Sequence, residues 1–115
     1  MIHQGEIYLY SDPQIPPHPL VVLSREELNR GDRVVAAIIT SAKFAARSKL
    51  ANCVVLKAGQ FGLTKDCVVQ GETVFNAPIR HLDLTSGLVG KLDALTLREV
   101  IKAIGYVMNS DCEPN

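Results

Sequence analysis

The chain has no excess of charge: twelve Lys and Arg balance twelve Asp and Glu, and a pI near 6.8 excludes a binder that relies on bulk positive charge. It is poor in cysteine, with Cys53, Cys67 and Cys112 far apart and no C-x-x-C pair. That excludes a zinc ribbon and a full disulfide framework, and fits a reducing compartment. No basic segment followed by an apolar one opens the chain, and no apolar run approaches the ~20 residues that span a bilayer. The expectation is a cytoplasmic protein without membrane contact. Three histidines lack ligand spacing, and H-E-x-x-H, paired-Asp, phosphate-loop and dinucleotide motifs are missing, so no metal or other cofactor is expected. What is present is 47% hydrophobic content against 21% charged in 115 residues, enough to bury one core. One domain is placed at residues 1–108, followed by a polar tail at 109–115.

Periodicity predicts several short strands and one helix. Gly5-Glu6-Ile7-Tyr8-Leu9-Tyr10 alternates polar and apolar residues, as a half-buried strand does. Pro16, Pro17 and Pro19 bracket His18, and their density predicts a stiff loop that presents this histidine rather than a helix or central strand. Leu20–Leu23 and Val34–Ile39 are continuous apolar runs, read as buried strands, with one helical turn expected over Arg25–Asn29. Residues 42–52 are weakly patterned. Cys53–Leu56 resumes strand character, and Cys67 to Phe75 reads as one further strand that Asn76-Ala77-Pro78 interrupts. Thr96 and Glu99 form a capping box, behind which Leu97, Val100, Ile101, Ile104, Val107 and Met108 make one apolar stripe. The fold class expected is mainly β (α+β), a small SH3-like barrel of curved antiparallel strands closed by a C-terminal amphipathic helix.

Charge is uneven along the chain. Between Arg33 and Lys65 there are six basic residues and no acidic one. Lys43, Arg47 and Lys49 fall in the weakly patterned segment, where cations can follow a phosphate backbone or form an ordinary solvated loop. Thr40 and Ser41 follow a buried strand, so their hydroxyls can donate to phosphate oxygens or serve as turn residues. His18 exchanges protons near neutral pH, and Glu72 is either a base or an outward-facing strand residue. Cys53 and Cys67, each followed by a Val-Val pair, read as small buried hydrophobes rather than reactive thiols.

In their order and spacing, Gly5-Glu6-Ile7-Tyr8-Leu9, Pro19-Leu20-Val21-Val22-Leu23-Ser24, Asn29-Arg30, Val35-Ala36-Ala37-Ile38-Ile39-Thr40-Ser41, Gly62-Leu63-Thr64-Lys65-Asp66-Cys67-Val68-Val69 and Arg80-His81-Leu82-Asp83 make a collinear set. The chain thereby resembles the PemK/MazF toxins over almost its whole length. That resemblance implies a barrel-like fold, a homodimer, and metal-independent cleavage of single-stranded RNA in a bacterial toxin–antitoxin system, with a cognate antitoxin blocking the RNA groove. Such cleavage uses the RNA's own 2′-hydroxyl, so the protein needs a base, an acid and groups that stabilise the phosphorane. The resemblance implies catalytic roles for His18, Glu72, Thr40 and Ser41. Lys43, Arg47, Lys49 and Arg80 would bind RNA, and Phe44 would stack on a base. His18 stands where the family commonly has an arginine, Gln70 where some members have another, and Phe75 to Ile79 are additional residues before Arg80. These departures motivate the alternative, a catalytically silent relative that binds antitoxin, nucleic acid or a protein target such as gyrase.

Overall fold

The first alternation folds as β1, Glu6–Asp12. The computed structural model describes residues 1–109, so the tail from residue 110, Cys112 included, lies outside the described residues. β2, Ile15–Val22, returns antiparallel to β1, with Ile7 opposite Val21 and Tyr10 opposite His18. β3, Arg33–Thr40, pairs with β2 over Leu20 to Val22 only. The prolines therefore lie within a strand and not in a loop, which corrects the sequence reading. Its physical basis survives, because among the described residues this half of β2 pairs with β1 alone, and an edge is where a sheet tolerates missing donors.

β4, Cys53–Leu56, and β5, Cys67–Gln70, form a hairpin, and β5 joins β3 at Ile39 and Thr40. β6, Phe75–Pro78, occupies the same edge of β3 nearer its start, opposite Arg33 to Ala36. The single strand expected from Cys67 to Phe75 is thus two, separated by a 3-10 turn at Gly71–Thr73. Thr73 closes the gap: its hydroxyl oxygen accepts the Ile38 amide at 2.9 Å and donates to the Gln70 carbonyl at 2.7 Å. β6 also runs through Asn76, Ala77 and Pro78, which were expected to interrupt it; Pro78 is its last residue, where no further ladder depends on it. β7, Gly90–Lys91, escaped the sequence reading because two residues carry no period; it flanks β1. The sheet order is β4-β5-β3-β2-β1-β7, with β6 beside β3, and the splayed edge curls it into a half-barrel.

Both faces of the sheet are covered, which explains the continuous apolar runs. Ile7, Val21, Ile39, Leu56, Val69 and Val100 belong to one core, while Tyr8, Tyr10, Leu20, Val22, Val34 and Leu82 belong to the other. The weak segment after β3 holds one short helix, α1, Phe44–Arg47. The terminal helix, α2, spans Ala94–Val107 and begins before the expected capping box. Asp93 is the cap: its carboxylate accepts the Thr96 amide at 2.7 Å, and these hydrogen bonds hold its pKa below the ordinary aspartate value.

The buried face of α2 is centred on Val100 and Ala103, with Leu97 and Ile104 partly buried. Ile101 is 46% exposed and Met108 65%, so neither belongs to the apolar seam that the spacing suggested. The reason is a close approach through small residues. A Cβ on Gly71 would stand 3.2 Å from the Ala103 carbonyl oxygen, so the helix rests its alanine on the Gly71–Thr73 turn and turns Ile101 outward. Val100→Ala is expected to cost about 2 kcal/mol and Ile101→Ala less than about 1. Urea unfolding of both variants checks this orientation, and the reverse order would refute it.

Candidate active site

Three segments meet where β3 ends. The edge half of β2 brings Pro17, His18 and Pro19, β3 and its exit bring Ile39 to Ala42, and the loop before β5 brings Leu63, Thr64, Lys65 and, at the strand start, Cys67. They line a groove of about 380 Å³. The juxtaposition follows from register: Leu20 pairs with Ile38, and continuing that ladder by two residues sets His18 abreast of Thr40. No β3 residue pairs with His18 itself, so the gap stays open as a groove.

Thr40 is nearly buried at 8% exposure, and its oxygen accepts the Ala42 amide at 3.1 Å. It is therefore a turn residue, and an oxygen that accepts this amide still has its own proton to donate. Ser41 is exposed. Cys67 is buried and its thiol bonds to the Lys65 carbonyl at 3.3 Å; burial chiefly, with the Asp66 charge next, pushes its pKa up. That suits a wall of the groove and opposes a nucleophilic role.

The groove's lining contains no carboxylate. Asp66, next to Lys65, accepts the Ala58 amide at 2.9 Å and so pins its own loop. Just past the groove, Lys43 adopts the left-handed conformation at φ 53°, and α1 turns the chain back. Arg47 donates to the Ala42 carbonyl at 3.0 Å, which holds its guanidinium beside the groove mouth. Lys57 places its ammonium 5.8 Å from the centroid of Phe44, so this half-buried ring already faces one cation. Lys49 is exposed at the end of the turn.

The remaining sequence candidates lie elsewhere. Glu72 is exposed on the 3-10 turn beyond β5 and accepts from the Asn52 amide group at 2.9 Å; it does not line the groove. It stands near Cys53, whose thiol is pushed up first by burial and then by the Glu72 charge, with Arg47 pulling the other way. Arg80 is exposed on the 3-10 turn Ile79–His81, within electrostatic reach of Tyr10 and likewise outside the groove. Phe75 to Pro78, read as additional residues, supply β6. Thr64 and Lys65 line the groove although the sequence marks them only as part of the Gly62 to Val69 block. Their signal was present in a Thr-Lys pair just after Gly62, but a groove made by loop and strand edge has no periodicity to reveal it. Among the described residues, no group of three or more His, Cys, Asp or Glu side chains is placed to hold a metal ion.

A curled antiparallel half-barrel with a helix on one core, and a groove at the end of its central strand, defines the structural class. That architecture is the MazF toxin fold. One solved structure with it, an endoribonuclease in complex with its cognate antitoxin from a mycobacterial species, superposes with a TM-score of 0.79 at 17% identity, covering 99% of this chain and 100% of that one. The Mycobacterium tuberculosis toxin MazF-mt6 gives 0.75 at 23% identity, covering 90% and 96%. The MazE–MazF complex from Deinococcus radiodurans gives 0.73 at 18%, covering 93% and 94%. No family model and no curated protein matches the sequence.

Proposed function

We propose that this chain is the toxin of a bacterial type II toxin–antitoxin pair, a cytoplasmic, homodimeric endoribonuclease that cuts single-stranded RNA without a metal. The observation that carries this reading is the groove. It joins His18 to the hydroxyls of Thr40 and Ser41, beside the basic turn Lys43 to Lys49, on a fold shared with solved endoribonuclease toxins. In the reaction the RNA 2′-oxygen attacks the adjacent phosphorus and the bond from phosphorus to the 5′-oxygen breaks. A base takes the 2′-hydroxyl proton and an acid gives one to the 5′-oxygen, leaving a 2′,3′-cyclic phosphate and a 5′-hydroxyl. Thr40 and Ser41 donate to the phosphate oxygens, while Lys43, Arg47 and Lys49 hold the strand, with Phe44 offering its ring to a base. Arg80 extends the contact beyond the groove. The antitoxin acts by covering this face.

His18 lies in the groove and Glu72 outside it, so proton transfer at the reacting atoms falls first to His18. His18→Ala is expected to lower cleavage by at least about tenfold, and Glu72→Gln by less. The check is incubation of the purified protein with mixed-sequence single-stranded RNA in EDTA, with product ends read by mass spectrometry. Cyclic-phosphate ends lost in the His18 variant support the reading; equal cleavage by wild type and both variants contradicts it. The position of Glu72 and the presence of Gln70 favour a second reading, a protein that binds RNA or antitoxin without cutting. RNA retained but left intact across varied sequences selects that alternative.

A further inference from the structure

Lys65 is the one lysine or arginine among the residues that line the groove, which holds no aspartate or glutamate. Histidine carries charge only when protonated, and the other polar lining side chains are the hydroxyls of Thr40, Ser41 and Thr64, with the Cys67 thiol. We propose that Lys65 is a catalytic residue of this groove, its ammonium neutralising the phosphate oxygens as negative charge builds on them during attack by the 2′-hydroxyl. The proposal rests on the endoribonuclease reading above and adds to it the group that supplies fixed charge.

Two further features carry the assignment. Among the described residues, no ion pair spends the charge of Lys65. Asp66 is engaged by the Ala58 amide, and the ion pairs among the described residues are His3–Glu26 and Arg25–Glu27, neither of which involves Lys65. Its backbone is also held in place. The Cys67 thiol donates to the Lys65 carbonyl, the Gly59 amide bonds to the Leu63 carbonyl at 2.8 Å, and the Leu63 amide to the Gln60 carbonyl at 2.9 Å. A loop so tied keeps the Lys65 backbone in the wall of the groove that the strand-end hydroxyls also line. The phosphorane bears more negative charge than the diester, so a cation here binds the transition state more strongly than the ground state. Its loss should therefore appear in kcat more than in KM.

The test compares wild type, Lys65→Ala and Lys65→Arg on a single-stranded RNA that the wild type cuts, in EDTA. Binding to the single-stranded DNA of the same sequence, which lacks the attacking hydroxyl, is measured in parallel. Lys65→Ala is expected to lower kcat by about 100-fold while KM and DNA affinity change less than about fivefold, and Lys65→Arg to recover activity to within about tenfold of wild type. A Lys65→Ala kcat within about threefold of wild type, or a loss confined to KM and DNA affinity, overturns the proposal while leaving the endoribonuclease reading intact. A wild type that cuts no RNA removes both.

Discussion

Alanine at Gly62 is expected to destabilise the native fold severely. Gly62 sits at φ +80°, and a Cβ there would overlap the carbonyl oxygen of Val89. The relation is mutual, since a Cβ on Gly90 would overlap the carbonyl oxygen of Phe61. Two backbone stretches therefore cross in direct contact, one in the loop before β5 and the other entering β7, with no room for a side chain on either. Neither carbonyl can swing away cheaply, because Val89 and Phe61 pack against the core that contains Leu63, Leu92 and Val100. The cost should exceed about 4 kcal/mol, which is a large share of a small domain's stability.

The glycines provide their own controls. Gly59 has φ +87° but nothing within 4 Å of a Cβ, so Gly59→Ala measures left-handed strain alone, about 1 kcal/mol. Gly90 is not in that conformation, so Gly90→Ala measures overlap alone. Urea unfolding of the three variants should rank Gly62 and Gly90 far above Gly59. Losses below about 1 kcal/mol at both crossing positions would mean that the strands do not meet this way. Gly62 also leads directly into Leu63, Thr64 and Lys65, so the crossing fixes one wall of the groove as well as the fold.

The sequence made most of the fold legible wherever burial imposes a period. β4 has the bounds read from its apolar run, and β3 differs by one residue at each end. It misled where a local rule meets a tertiary exception. The prolines of β2 are acceptable because β3 stops pairing at Leu20, a fact about a neighbouring strand that no window around His18 contains. Ile101 looked buried because the apolar stripe ignores how closely glycine and alanine let backbones approach. The lining of the candidate groove was legible in part. Thr40 and Ser41 were marked by their place at a strand end, and His18 by its prolines. That Lys65 shares their groove while Glu72 does not depends on how β5 and the following turn diverge, which neither composition nor spacing encodes.

Asn29, which the sequence marks only within a short Asn-Arg block, serves as scaffold, and its removal should have a large effect on stability. It is 5% exposed, and its carboxamide joins three parts of the chain. Its nitrogen donates to the Ile2 carbonyl at 3.1 Å and the Ser24 carbonyl at 2.9 Å, while its oxygen accepts from the Ser24 hydroxyl. The Ser24 oxygen in turn accepts the Val35 amide at 3.0 Å, so the N-terminus, the exit of β2 and the body of β3 are tied through two side chains. Asn29→Ala strips partners from two carbonyls and one hydroxyl inside the protein, and burial of such groups without partners makes the loss about 3 kcal/mol or more. Ser24→Ala breaks the same network from the other side. Because the two residues share one set of bonds, the double variant should lose less than the sum of the singles, by about 1 kcal/mol or more. Urea unfolding of the four proteins measures that coupling. Strict additivity would show the two side chains acting independently, contrary to the geometry. RNA cleavage per folded molecule should stay within about threefold of wild type in Asn29→Ala, since none of these bonds reaches the groove, and a larger loss would assign Asn29 to the site after all.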